Sequence, residues 1–265
     1  MKIKVSRRND IIYISGYQED SLVDVLESVS FTVWFSYCNL YCPWCSNYQV
    51  ARGKNARGVK INQIVERVKE VVSFVDYFHV TGGEPTLQLN ALKNLLEEVK
   101  KETGLLLSID TNGTIPIAVK KLQPLLNHIA IDVKAPLSDP KIYAKATGIS
   151  EKAAQILVRN IIKSIEYSKQ IPFLELRTTV IPNIINQKVI KQIAKDLLPI
   201  VSEKGNRITF IVQQFIPYEG IGDPFYKHIR RTPPEIIREY GEIIKEILPI
   251  ETYIRTLEDG TKKIT

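Results

Sequence analysis

Cysteine, histidine and methionine are scarce in this chain of 265 residues: three, three and one. Three cysteines over such a length are no disulfide framework, and their odd number points to a reducing compartment. The opening MKIKVSRRND has no apolar core of the kind a signal peptide needs. The longest uncharged stretch, Ser28 to Ala51, is interrupted throughout by Ser, Asn, Gln, Tyr and Pro, so it fails as a membrane span. Low-complexity tracts and linkers are also missing. The expectation is a soluble cytoplasmic protein read as one domain over 1–265. Its core covers about 16–217, and 218–265 supplies a C-terminal helix and an edge strand.

What is present can build a large core. Hydrophobic residues make up 44% of the chain, enough to fold without covalent staples. The net charge is +7, which permits an acidic partner or a nucleic acid without demanding one.

Apolar patterning alternates between two periods along the chain. Strand-like runs fall at 29–36, 76–82, 104–113, 128–136, 172–182 and 206–217. Amphipathic helical runs lie at 61–75, 89–103, 116–127 (shortened by Pro124), 151–169, 186–204 and 233–248. Six strand–helix units in series imply an α/β fold with a parallel sheet and right-handed crossovers. The first expectation is a partial (β/α)6 TIM-like barrel; a doubly wound sheet is the second. Either architecture puts chemistry at the C-terminal strand ends.

All three cysteines fall there, directly after the first strand: Cys38, Cys42 and Cys45 in a C-x3-C-x2-C spacing. Three thiolates so close can cap three metals of one cluster or fill three corners of a tetrahedral site. Structural zinc wants four protein ligands, and ordinary [4Fe–4S] carriers want four thiolates. Three leave one iron open to a substrate or cofactor. The bland alternative is three cysteines acting as small buried hydrophobes.

The following strand ends are also polar. The second closes on Gly82-Gly83-Glu84, the third on Asp110-Thr111-Asn112-Gly113. The fourth carries Asp132 and Lys134 on one face, and the fifth Glu175 and Arg177. Charges inside a parallel sheet are costly unless paired or bound to a ligand, so salt bridges and a ligand site both remain open.

C-x3-C-x2-C with Trp44 before the last cysteine, followed by Gly-Gly-Glu at the next strand end, resembles the radical S-adenosylmethionine (SAM) superfamily. The later Asp-Thr-Asn-Gly, Asp132-x-Lys134 and Arg177-x-x-Val180-x-Pro182 resemble its glycyl-radical-enzyme activating proteins. Gly16-Tyr17-Gln18 and Asn47 resemble the branch that activates anaerobic ribonucleotide reductase. The resemblance implies a [4Fe–4S] cluster on Cys38, Cys42 and Cys45, with SAM chelating the fourth iron. It implies SAM contacts from Trp44, Gly82, Gly83, Glu84, Lys134 and Arg177, and a monovalent cation near Asp110, Thr111 and Asp132. One-electron reduction would cleave SAM to methionine and a 5′-deoxyadenosyl radical. The implied partners are a glycyl radical enzyme and an electron donor such as a flavodoxin or ferredoxin.

The sequence also departs from that group. Tyr37 stands where the group has Gly, 25–32 contains no Lys or Arg, and Glu219 replaces a histidine after Pro217-Tyr218. These departures leave open radical modification of RNA or a small molecule. A non-enzymatic zinc or iron–sulfur module is the alternative from another class. Arg52, Lys54, Arg57 and Lys60 lie in a stretch with no acidic residue between Glu27 and Glu66. That stretch reads as a solvated loop or as a dock for an acidic partner or RNA. His79 reads as core, and His128 and His228 as lacking any constellation.

Overall fold

The computed structural model describes residues 10–202 and 205–265. The segment 1–9, where a signal sequence was sought, and the last two residues of the expected helix 186–204 lie outside the described residues. The chain opens with β1 (Ile11–Ser21), β2 (Ser30–Phe35), α1 (Tyr48–Ala51) and β3 (Arg57–Lys60). It continues through α2 (Ile61–Val71), β4 (Tyr77–Gly82), α3 (Leu89–Thr103), β5 (Leu106–Thr111) and α4 (Pro116–Leu122). Next come β6 (His128–Asp132), α5 (Pro140–Thr147), α6 (Glu151–Ser168), β7 (Phe173–Val180) and α7 (Gln187–Val201). The last elements are β8 (Arg207–Gln214), α8 (Pro224–His228), α9 (Pro234–Ile247), β9 (Glu251–Thr256) and β10 (Gly260–Lys263).

Each helix is bounded by local chemistry. Ser150 Oγ accepts from Ala153 N–H at the start of α6 (3.3 Å), and Asn186 caps α7 through Val189 N–H (3.0 Å). Pro116 opens α4, which stops at Leu122, two residues short of Pro124. Gly104 ends α3 in the left-handed region, φ 73°. Leu92, Leu95, Leu96 and Val99 of α3 recur at helical spacing and are wholly buried.

The sheet order is β10-β9-β8-β7-β6-β5-β4-β2-β1-β3, and its parallel part follows the chain with no reversal. A doubly wound sheet would reverse at a switch point, so the partial TIM-like barrel is the fold. All six expected strands are present. The tail expected at an edge adds a seventh parallel strand, since β9 pairs parallel with β8. Sequence patterning missed three antiparallel strands, of which β3 and β10 form the two edges of the sheet. β1 pairs with β2 and β3, and β10 with β9. β3 and β10 are short and mostly exposed, so they carry little apolar periodicity. The helices α1, α5 and α8, of four, eight and five residues, were missed for their brevity.

Alternation along the strands separates two faces. Phe31, Val33, Val80, Ile109, Ile131 and Leu176 join the apolar core with the helices. The opposite face carries Thr32, His79, Ser108, His128, Glu175 and Thr209, all with no exposed surface. The barrel interior is therefore polar. Its lower end is tied across by Arg207, whose Nη2 lies 3.1 Å from Glu27 Oε2 and whose Nε lies 3.2 Å from Glu251 Oε2.

Candidate functional site

The cysteine loop is held by backbone contacts on several sides. Tyr37 and Cys38 N–H groups donate to the carbonyls of Val50 and Ala51, both at 3.0 Å. Tyr41 N–H donates to Thr147 O (2.9 Å), and Cys45 N–H to Cys42 O (3.2 Å). From the next strand end, Gly83 N–H donates to Phe35 O and Glu84 N–H to Tyr37 O, both at 2.8 Å. Gly82 has φ 118°, and a Cβ there would lie 2.3 Å from Phe35 O. Side chains cannot enter this junction. The glycines were read as admitting a ligand; in the structure they also let β4 seat the cysteine loop.

Tyr37 has φ 77°, in the left-handed region. That explains why glycine suits the position before the first cysteine. Here tyrosine adopts the same backbone at a cost of roughly 1–2 kcal/mol. Its two backbone hydrogen bonds offset that cost, as does its ring, packed where Gly53 has no Cβ.

A cavity of about 220 Å³ opens at the C-terminal strand ends. Cys38, Cys42, Cys45, Trp44, Gly82, Gly83, Asp110, Thr111, Asp132, Lys134 and Arg177 all line it. Glu84 does not. Its buried carboxylate accepts from Thr111 Oγ1 and Asn112 N–H at 2.8 Å and from Thr86 N–H at 3.1 Å. Burial pushes the Glu84 carboxyl above its ordinary value, while these donors pull the other way. Glu84 braces the strand ends beneath the cavity.

Above it the charges are paired. Lys134 Nζ lies 3.0 Å from Asp132 Oδ2 and 5.2 Å from the centroid of the Trp44 ring. Trp44 Nε1 donates to Ala146 O at 2.7 Å, which anchors the indole. Arg177 donates through Nη2 to Asp110 Oδ1, and its Nε lies 3.6 Å from Asp132 and 3.4 Å from Glu175. Burial opposes ionisation of Asp110, but Arg177 overrides it and holds the carboxyl well below the usual range. Burial likewise works against Lys134, and Asp132 with Cys42 raises it above an ordinary lysine. Asp110 and Asp132, read as cation ligands, are thus bridged by a guanidinium, and the Thr111 hydroxyl turns to Glu84.

Sequence reasoning missed other members. Asn112, which carried no role in the sequence reading, donates from Nδ2 to Asn39 Oδ1 at 2.9 Å and sits 3.9 Å from Cys38 Sγ. Thr81 Oγ1 donates to Asp110 at 3.0 Å. Thr179 and Gln213 also line the cavity. Thr179 lies two residues beyond Arg177 on the same face and in register with Gln213, a signal strand alternation contained. His128 has a constellation after all: Ser108 Oγ is 2.7 Å from its Nδ1 and from His79 Nδ1, and Glu175 Oε2 is 3.8 Å from its Nε2. The basis of that network is non-local, since four strands contribute to it.

The donor set fits a cluster better than a single ion. All three cysteines are free thiols facing one cavity. Burial pushes Cys42 up to about 12, and Cys38 and Cys45 upward as well, with Lys134 opposing in each case. Such thiols ionise when a cation binds their sulfur. Among the described residues no group of three or more His, Cys, Asp or Glu side chains converges on one metal ion. Three cysteines are one short of the four protein ligands of a structural zinc site, whereas a cubane can take one thiolate at each of three separate irons.

The family model described as the radical SAM superfamily matches residues 32–197. A protein of Methanocaldococcus jannaschii, whose name provisionally assigns it as a glycyl-radical enzyme activating enzyme, is 30% identical over 254 residues, 95% of this chain and 98% of its own. The 7-carboxy-7-deazaguanine synthase of Thermococcus kodakarensis is 31% identical over 121 residues, covering 38% of this chain and 47% of that protein. Among solved structures, TYW1 with a lysine-pyruvate adduct has a TM-score of 0.59 at 15% identity, covering 87% of this chain and 77% of that one. Methylornithine synthase has a TM-score of 0.56 at 19% identity, covering 83% and 63%. Both likenesses are of fold. With the cysteine loop, the strand-end charges and the matched family model together, this chain belongs to the radical SAM superfamily.

Proposed function

We propose that this radical SAM enzyme activates a partner protein by removing a hydrogen atom from one of its glycines. Bound at the cavity, a [4Fe–4S] cluster and SAM supply one-electron cleavage of the sulfonium to methionine and a 5′-deoxyadenosyl radical. Cys38, Cys42 and Cys45 hold the cluster. Trp44 offers its ring face to the adenine, and the Gly82–Gly83 backbone receives the methionyl amino group. Lys134 and Arg177 are the cations available to the methionyl carboxylate, with Asp110 and Asp132 holding them in place. The polar face beneath, from Glu175 to His79, keeps Arg177 oriented.

The observation that carries the activating role is the likeness to the M. jannaschii protein along nearly the whole of both chains. An open sheet, running from β10 to β3, also suits a reaction in which a protein loop must reach the radical. The test is anaerobic incubation of the reconstituted enzyme with SAM, a reductant and a glycyl radical enzyme. The expected result is an electron paramagnetic resonance doublet from the partner's glycine. Full SAM cleavage without that doublet, across candidate partners, would move the substrate elsewhere.

Modification of a small molecule is the second reading. It is supported by the local likeness to 7-carboxy-7-deazaguanine synthase, which is confined to less than half of either chain.

A further inference from the structure

The turn after β5 closes a ring of side-chain hydrogen bonds against the first cysteine. Asn112 Nδ2 donates to Asn39 Oδ1 at 2.9 Å, and Asn39 Nδ2 donates to Thr114 Oγ1 at 2.7 Å. Thr114 Oγ1 completes the ring by donating to Asn112 Oδ1 at 2.7 Å. The backbone fixes which way the Asn112 amide faces. Thr114 N–H can only donate, and it reaches Asn112 Oδ1 at 3.0 Å, so the amide nitrogen must lie on the other side. One hydrogen of that nitrogen serves Asn39. The other is left for Cys38 Sγ, 3.9 Å away. Asn112 and Thr114 are 5% and 6% exposed, so water competes little for these groups. From behind, α6 pins the turn: Asn160 Nδ2 donates to Thr114 O at 3.1 Å and Ser164 Oγ to Gly113 O at 2.6 Å. The amide is therefore aimed at the sulfur by the fold.

We propose that Asn112 is a positioning residue that sets the reduction potential of the cluster through Cys38. The proposal rests on the radical SAM reading, in which Cys38, Cys42 and Cys45 hold a [4Fe–4S] cluster. Hydrogen bonds to the sulfurs are one of the controls a protein has over such a potential. An N–H dipole pointing at a thiolate stabilises the more negative state of the centre, and one-electron reduction produces that state. The Asn112 donor therefore makes the cluster easier to reduce. Cys38 Sγ also receives Leu40 N–H at 3.4 Å, and Cys45 a backbone N–H from Asn47. Those two bonds belong to the backbone of the cysteine loop. Asn112 adds a side-chain donor from a different strand end, which a single substitution removes. Asn39 Oδ1 lies 4.0 Å from the same sulfur, and the Asn112 amide offsets its partial negative charge there.

The test uses the full chain, reconstituted anaerobically without SAM. Electron paramagnetic resonance during a redox titration reads the midpoint potential of the cluster. Asn112→Leu keeps the bulk of the side chain and removes the donor. The ratio of reduced to oxidised cluster at a fixed potential should fall about threefold to tenfold, the latter a shift of about 59 mV to more negative values for one electron. Asn112→Asp keeps the acceptor for Thr114 and puts a charge near the sulfur, so its potential should fall further. Thr114→Val leaves Asn112 in place but opens the ring, and it should give a smaller shift in the same direction. It retains the backbone N–H that orients the amide, which keeps the test decisive if both Asn112 variants fail to fold. Melting of the metal-free proteins and iron and sulfide analysis accompany each titration. Loaded variants with the wild-type potential would overturn the proposal. So would variants that melt like wild type yet take up no iron and sulfide, since Asn112 would then serve only to build the site. A wild type that itself assembles no iron–sulfur cluster would instead overturn the radical SAM reading beneath it.

Discussion

A Cβ on Gly83 would sit 2.1 Å from the carbonyl oxygen of Tyr37, so the second strand end and the cysteine loop touch backbone to backbone. Gly83→Ala therefore has to push the loop off its seat. We expect a loss of about 1–3 kcal/mol in denaturant unfolding, as for other overpacked sites. Iron and sulfide bound after anaerobic reconstitution should fall together. Full iron loading at unchanged stability would show that the glycines are not what seats the loop.

Arg177 holds three carboxylates, and removing it leaves Asp110 and Glu175 without their principal cation. Arg177→Met is expected to destabilise by about 3–5 kcal/mol, the range for breaking a buried ion pair. Arg177→Lys should recover part of that stability while leaving SAM affinity low, because one ammonium cannot reproduce the guanidinium's contacts. Urea unfolding together with equilibrium dialysis of SAM separates the two effects. Wild-type SAM affinity in Arg177→Lys would assign Arg177 a purely structural role.

Trp44 is anchored by its indole N–H on Ala146 O and lies against Lys134. Trp44→Phe keeps a ring and loses the anchor, so SAM binding should weaken by a few-fold. Trp44→Ala removes the stacking face, and dialysis should read a loss of about tenfold or more, about 1.4 kcal/mol. Equal affinities for the two variants would remove the ring from the SAM site.

The buried histidine makes stability depend on pH with a definite sign. Burial holds His128 well below its ordinary 6.5, helped by His79 and Arg177. Below pH 6.5 the unfolded chain takes up a proton that the folded chain refuses, so stability falls as pH drops through that value. The loss amounts to about 1.4 kcal/mol one unit below the unfolded value. Glu84 and Glu175, both raised by burial, act oppositely, and their contribution declines as pH rises above 4.5. Chemical unfolding at pH 7 and pH 5.5, compared between wild type and His128→Gln, isolates the histidine. The variant should lack its share of the slope; identical slopes would refute the assignment.

Strand and helix positions were legible because each unit places apolar residues at one period against a shared helical layer. Expected helix 89–103 coincides with α3, and expected strand 76–82 differs from β4 by one residue. The strand-end motifs were legible for a related reason: a parallel barrel gathers consecutive strand ends into one place. Two things were not. Glu84 resembles a cavity residue in sequence, yet its carboxylate points down to Thr111 and Asn112, an orientation set by donors on another strand. The pairing of His79, Ser108 and His128 depends on the register of three strands, which apolar periodicity does not encode. Glu219, read as a departure, pairs with Lys227 at 2.6 Å and does not line the cavity.

The central claim is that the three cysteines form one radical-generating centre with the charges facing them. It is tested most directly by anaerobic reconstitution, metal and sulfide analysis, and quantification of 5′-deoxyadenosine after adding dithionite and SAM. Wild type should bind iron and sulfide in equal amounts and release 5′-deoxyadenosine with methionine. Cys42→Ala should fold and do neither. A single zinc without sulfide, or a loaded cluster that yields no 5′-deoxyadenosine, would contradict the account.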